Sequence, residues 1–93
     1  MTMLANFGED EALGRRLAQV ERRVSTIQRL WDDDAAYARI VESGRYLKLC
    51  TVTEQATELA EMLRERAVAA LAAMAEAGRQ PAPVLVEAAR LSA

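Results

Sequence analysis

From Leu13 the apolar residues fall at Leu13, Leu17, Val20, Val24, Ile27 and Trp31, with Arg, Gln, Glu, Ser and Thr between them. Spacings that alternate between four and three make an a/d heptad seam along one side of an α-helix. The seam lasts about two and a half heptads, short of the three or four of a free coiled coil, so it fits a partner helix in a bundle. Gly8, Glu9, Asp10 and Glu11 place acid where the helix dipole favours it. The pattern predicts a helix over about residues 9–31, behind an N-terminal tail of residues 1–8.

Asp32-Asp33-Asp34 then interrupts the seam, because short carboxylates compete for backbone hydrogen bonds and favour a cap or kink. A second helix is expected over 34–43, with Tyr37, Ile40 and Val41 on one side and Ser43-Gly44 as its C-cap. Residues 45–52 alternate like a short strand, but a lone strand has no partner in this chain, so connection or helix is the reading. Thr51-Val52-Thr53-Glu54 fits a capping box and opens a helix over 52–77, ended by Gly78. Whether residues 35–51 join that helix stays open.

The seam of this helix reads Val52, Ala56, Leu59, Leu63, Ala67, Ala70 or Leu71, and Met74, while Glu54, Glu58, Glu61 and Glu65 take its outer faces. Glu61 and Glu65 are a like-charge i,i+4 pair, which costs a few tenths of a kcal/mol unless something positive covers it. Pro81 and Pro83 break the chain, and a last helix over 83–91 presents a narrow face of Val84, Leu85, Ala88 and Leu91. About two turns are unstable alone, so this segment must dock. The expected fold is all-α: one domain over 9–93, an antiparallel helical hairpin with a short third helix, assembling as a dimeric or tetrameric bundle.

Composition sharpens the last point. Of the 93 residues 52% are apolar, but 19 are alanine, which adds little buried area, and Leu, Ile, Val and Phe together number only 21. Partner chains are therefore expected to complete the core. There is no histidine and one cysteine, Cys50, so zinc ligand sets, Ser-His-Asp and Cys-His catalysis and intrachain disulfides lack their parts. No enzyme activity, cofactor or metal is expected. The start Met1 to Phe7 has no basic region of a signal peptide, and the longest uncharged stretch, Ala67 to Ala75, is far short of a membrane span. A cytoplasmic protein without a membrane partner is the expectation.

Charge adds a candidate site. The chain is net −2, yet residues 15–29 hold Arg15, Arg16, Arg22, Arg23 and Arg29 against Glu21 alone. Arg15, Arg22 and Arg29 are seven apart, nearly two turns, so the row stays on one side of the helix. Guanidinium groups are rigid five-donor forks of permanent charge, suited to phosphates or to an acidic protein partner. The bland alternative is that they flank the seam and pair with the Glu-rich second long helix. For Asp32-Asp33-Asp34 helix termination outweighs a Mg²⁺ or Ca²⁺ site, since Ala35, Ala36 and Tyr37 stand where an EF-hand spaces its ligands. Cys50 reads as a partly buried thiol, and Trp31, with Tyr37 and Tyr46, as the plug of a bundle end.

The run Arg16-Leu17-x-x-Val20-Glu21-x-x-Val24-x-x-Ile27-Gln28-Arg29-Leu30-x-Asp32-Asp33-Asp34 resembles the first helix of CsoR/RcnR-type bacterial transcriptional repressors. The resemblance implies a dimeric or tetrameric all-α protein that binds operator DNA through basic helical surfaces. Arg16 and Arg29 match motif positions; Arg15, Arg22 and Arg23 lie on the same helix, and Arg22-Arg23 replaces the family's Gly-Gln. Copper-sensing members carry Cys, His and Cys where an ungapped alignment puts Tyr37, Met62 and Arg66, so the resemblance implies a member without metal sensing. Gly44 falls where the family's second helix runs unbroken. Two functions are thus expected: a non-enzymatic helical homo-oligomer for protein interaction or regulation, or a DNA-binding repressor of this type.

Overall fold

The computed structural model describes the backbone of residues 2–91 and the side chains of residues 8–90. Four helices follow in order, α1 (Thr2–Asp32), α2 (Asp34–Glu42), α3 (Tyr46–Glu76) and α4 (Pro83–Leu91), with no strand among the described residues. The fold is all-α.

The breaks have local causes. Asp33 alone separates α1 from α2: its backbone is extended, and its Oδ1 accepts from the amides of Ala35 at 3.0 Å and Ala36 at 3.1 Å, so it N-caps α2. Helices α2 and α3 both end in Schellman motifs closed by glycine at positive φ, Gly44 at 74° and Gly78 at 67°. Arg45 N–H reaches the Ile40 carbonyl at 3.1 Å, and Arg79 N–H reaches that of Met74 at 2.9 Å.

Two boundaries differ from expectation. The backbone is helical from Thr2, so a helical extension replaces the tail assigned to residues 1–8; Met1 lies outside the described residues. Helix α3 begins at Tyr46, six residues before the expected start, because the Gly44 turn lets the chain re-enter helix at once. Thr51 is therefore no cap. The hydroxyls of Thr51 and Thr53 donate instead to the carbonyls of Leu47 at 3.1 Å and Leu49 at 2.7 Å, four residues back inside the helix.

Helix α1 packs against α3 and α4. The core is Leu17, Val20, Ala60, Leu63, Ala67, Met74, Ala82, Leu85 and Ala88, with alanine at many of the contact points, so the helices come close but bury little area each. Cross-contacts run in opposite order along α1 and α3: Trp31 bonds Thr53, Glu21 pairs with Arg64, and Asp10 meets Arg79, just beyond the end of α3. Leu17, Val20, Ile27 and Leu63, read from the sequence as positions of an oligomer seam, are covered within this one chain. The tertiary fold uses them because α3 and α4 both lie on that side of α1. Leu13, Val24, Trp31 and Leu59 stay half-buried and keep surface to spare.

The body is long and thin, 54 × 18 × 15 Å, with a radius of gyration of 16.8 Å. A compact domain of this length would have about 12 Å. Its accessible surface is 6744 Å², against about 5,300 Å² for a compact monomer of this mass.

Candidate functional site

The arginine row owes its position to the seam. Arg15 stands two residues before the buried Leu17, Arg22 two after Val20 and Arg29 two after Ile27, and two residues is about 200° of helix. The row therefore points directly away from the core. Arg16 and Arg23 form a second exposed row on the flank of α1. Between and beside them lie two shallow recesses, one of about 650 Å³ lined by Arg15, Arg16, Gln19, Arg22 and Val84 among others, the other of about 430 Å³ whose lining includes Glu21 as well as Arg22, Ser25, Thr26 and Arg29.

Pairing with the glutamates of α3 does not occur within the chain. Arg15 pairs with Glu11 one turn earlier on its own helix. Arg29 donates weakly to Thr26 Oγ1 at 3.4 Å. Arg16, Arg22 and Arg23 have no partner among the described residues. The ion pairs that tie elements together run the other way, from basic residues of α3 and its following turn to acids of α1: Arg64 to Glu21 at 3.2 Å and Arg79 to Asp10 at 4.0 Å. The reason is geometric. Glu54, Glu58, Glu61 and Glu65 each precede a buried residue of α3 (Ala56, Ala60, Leu63, Ala67) by two positions, so they too face away from the core, on the opposite side of the molecule. All four are exposed, without a partner among the described residues.

The far end of the bundle carries an aromatic cluster. Trp31, Tyr37 and Tyr46 contact one another with ring centroids 5.8 to 6.2 Å apart, two of the three contacts edge-on, and both tyrosines remain exposed. The Trp31 indole N–H donates to Thr53 Oγ1 at 2.9 Å. A hydrogen bond with the Cys50 side chain, aided by the nearby Cys50 and Tyr37 charges, raises the Tyr46 phenol above its ordinary value of 10.0.

One feature escaped the sequence pattern, a small apolar cleft of about 240 Å³ between Ile27, Leu30, Ile40, Leu49 and Val52, with Arg45 and Lys48 at its rim. The only sequence signal for it is Leu30, a leucine that lies off the α1 seam. Asp32 and Asp34 stay exposed beside the capping Asp33, and Arg66 and Met62, aligned with family metal positions, are exposed on α3.

No protein-family model, curated protein or solved structure matches this chain.

Proposed function

We propose that this protein is a non-enzymatic helical interaction module that acts as a homo-oligomer, a dimer or tetramer built from antiparallel α1/α3 hairpins. The observation that supports it most directly is surface area. The chain exposes 6744 Å², roughly 1,400 Å² more than a compact monomer of its mass, and a standard interface takes about 800 Å² from each partner. Val41, Leu47, Met62 and Val68 are among its exposed apolar side chains, at 49%, 76%, 43% and 57%. Light scattering coupled to size exclusion tests this reading: dimers or larger species at micromolar concentration support it, and a monomer throughout overturns it.

A second reading, a DNA-binding repressor resembling the CsoR/RcnR type without metal sensing, is favoured by one observation: Arg16, Arg22 and Arg23 carry unpaired charge on exposed faces of α1. Each phosphate they neutralise would release counterions, so duplex binding would weaken steeply with salt. Duplex affinity unchanged on reversing Arg15 and Arg22 to glutamate would remove this reading.

A further inference from the structure

The two charged rows that do not meet within the chain are opposite in sign and similar in length. The row on α1 runs from Arg15 to Arg29, about 21 Å, and the row on α3 from Glu54 to Glu65, about 17 Å, both straight on the outer faces of a slab two helices thick. We propose that the arginine face of α1 docks on the glutamate face of α3 of a second copy of this chain. This names the surfaces of the self-association proposed above and rests on it.

The sequence sets the register. With the partner's α3 antiparallel to α1, placing Arg15 opposite Glu65 puts Arg22 opposite Glu58, and between them Gln19 meets Glu61. The same alignment carries Thr26 to Glu54, and beyond Arg15 it sets Ala12 against Val68 and Gly8 against Ala72. Two arginines meet glutamates, Gln19 and Thr26 offer hydrogen bonds to the other two, and the uncharged, small-residue ends meet each other. Gly8 and Ala12 on one side and Val68 and Ala72 on the other are all exposed in the single chain. Parallel alignments such as Arg15 with Glu54 or Arg29 with Glu65 also pair two arginines with glutamates, but they lay Val68 against Arg29 or Asp32 and set Ala12 against Thr51 or Lys48, without an apolar counterpart.

The geometry also dictates the type of assembly. The two faces lie on opposite sides of one chain, so the contact is head-to-tail: each copy offers its second face to the next, and growth stops only if the stack closes into a ring, which of the two assemblies proposed above fits a tetramer and not a two-fold dimer. Helices would alternate in direction through the stack, and the like-charge Glu61/Glu65 pair would gain Arg15 opposite Glu65 and the Gln19 amide opposite Glu61. Exposed ion pairs contribute little singly, so the row acts as a whole and is screened by salt.

The test is sedimentation of the full chain at low ionic strength and at about 1 M salt, where the screening length falls to about 3 Å, alongside two variants. Glu58→Lys/Glu65→Lys and Arg15→Glu/Arg22→Glu should each weaken self-association by about tenfold or more, with helicity retained. An equimolar mixture of the two should restore it, since each then meets a face of opposite sign. As a second measurement, the chain carrying Ala12→Cys, Val68→Cys and Cys50→Ser should give a ladder of disulfide-linked multimers with oxidised glutathione, because these two positions meet only between copies. Association that is indifferent to salt and to both reversals, or absence of a ladder, overturns the facing of these rows while leaving self-association intact. A wild-type chain that stays monomeric at low salt overturns both.

Discussion

A β-carbon on Gly14 would lie 2.7 Å from the backbone nitrogen of Leu85 and 2.8 Å from its Cα. Helix α4 thus rests directly on the bare backbone of α1, and Leu85, fully buried, reaches the core through that contact. Glycine inside an exposed helix normally costs about 1 kcal/mol relative to alanine, so Gly14→Ala would ordinarily stabilise. Here the clash is with backbone, which cannot swing aside. Gly14→Ala is expected to destabilise by about 1–3 kcal/mol, the range for overpacking, with faster hydrogen exchange concentrated in α4. A gain in the urea midpoint would show that α4 does not sit on Gly14.

Two neighbouring aspartates should separate sharply. Asp33 receives two backbone amides, whereas Asp32 only accepts a long 3.5 Å bond from Gln28. Asp33→Ala should cost about 1 kcal/mol, the usual worth of an N-cap, and Asp32→Ala should stay within about 0.5 kcal/mol. Chemical denaturation of the two variants side by side measures the contrast; equal effects would deny Asp33 its capping role.

The indole of Trp31 and the hydroxyl of Thr53 join the end of α1 to α3. Trp31→Phe and Thr53→Val should each cost about 1 kcal/mol. Because both remove the same bond, the double variant should fall short of their sum. Additive losses in this double-mutant cycle would mean that the bond contributes nothing of its own.

Tyr46 provides the pH prediction. Its folded pKa lies above the unfolded value of 10.0, chiefly through the hydrogen bond with Cys50, so folding favours the neutral phenol. That contribution is fully present below about pH 10 and is lost as pH rises through the folded pKa. Tyrosinate absorbance should resolve a later-titrating tyrosine, and Cys50→Ala should bring it down. A Tyr46 titration unchanged by that substitution would deny the bond its part.

How far these features could be read in advance follows from their range. The α1 seam, the Asp33 cap, the glycine stops and the Pro83 start are written within a few residues each, and the helices begin or end there. The capping box at Thr51 failed for the same reason in reverse: a local signal held only until the Gly44 turn restarted the helix upstream and turned Thr51 into an interior residue. Nothing along the chain near Gly14 marks its role, since Leu85, the residue that needs it bare, is more than seventy residues away.

By itself, then, the sequence determined an all-α chain, its breaks, its alanine-thinned core and the arginine row on α1, because periodicity and capping depend on neighbours along the chain. Only the tertiary structure decided what each face meets. It placed Leu17 and Leu63 in one intrachain core, set Leu85 on Gly14, and turned the arginines and the glutamates to opposite sides, where their charges cannot meet inside one copy. Pairing of faces depends on how helices pack across long loops, and no spacing within a single helix encodes that.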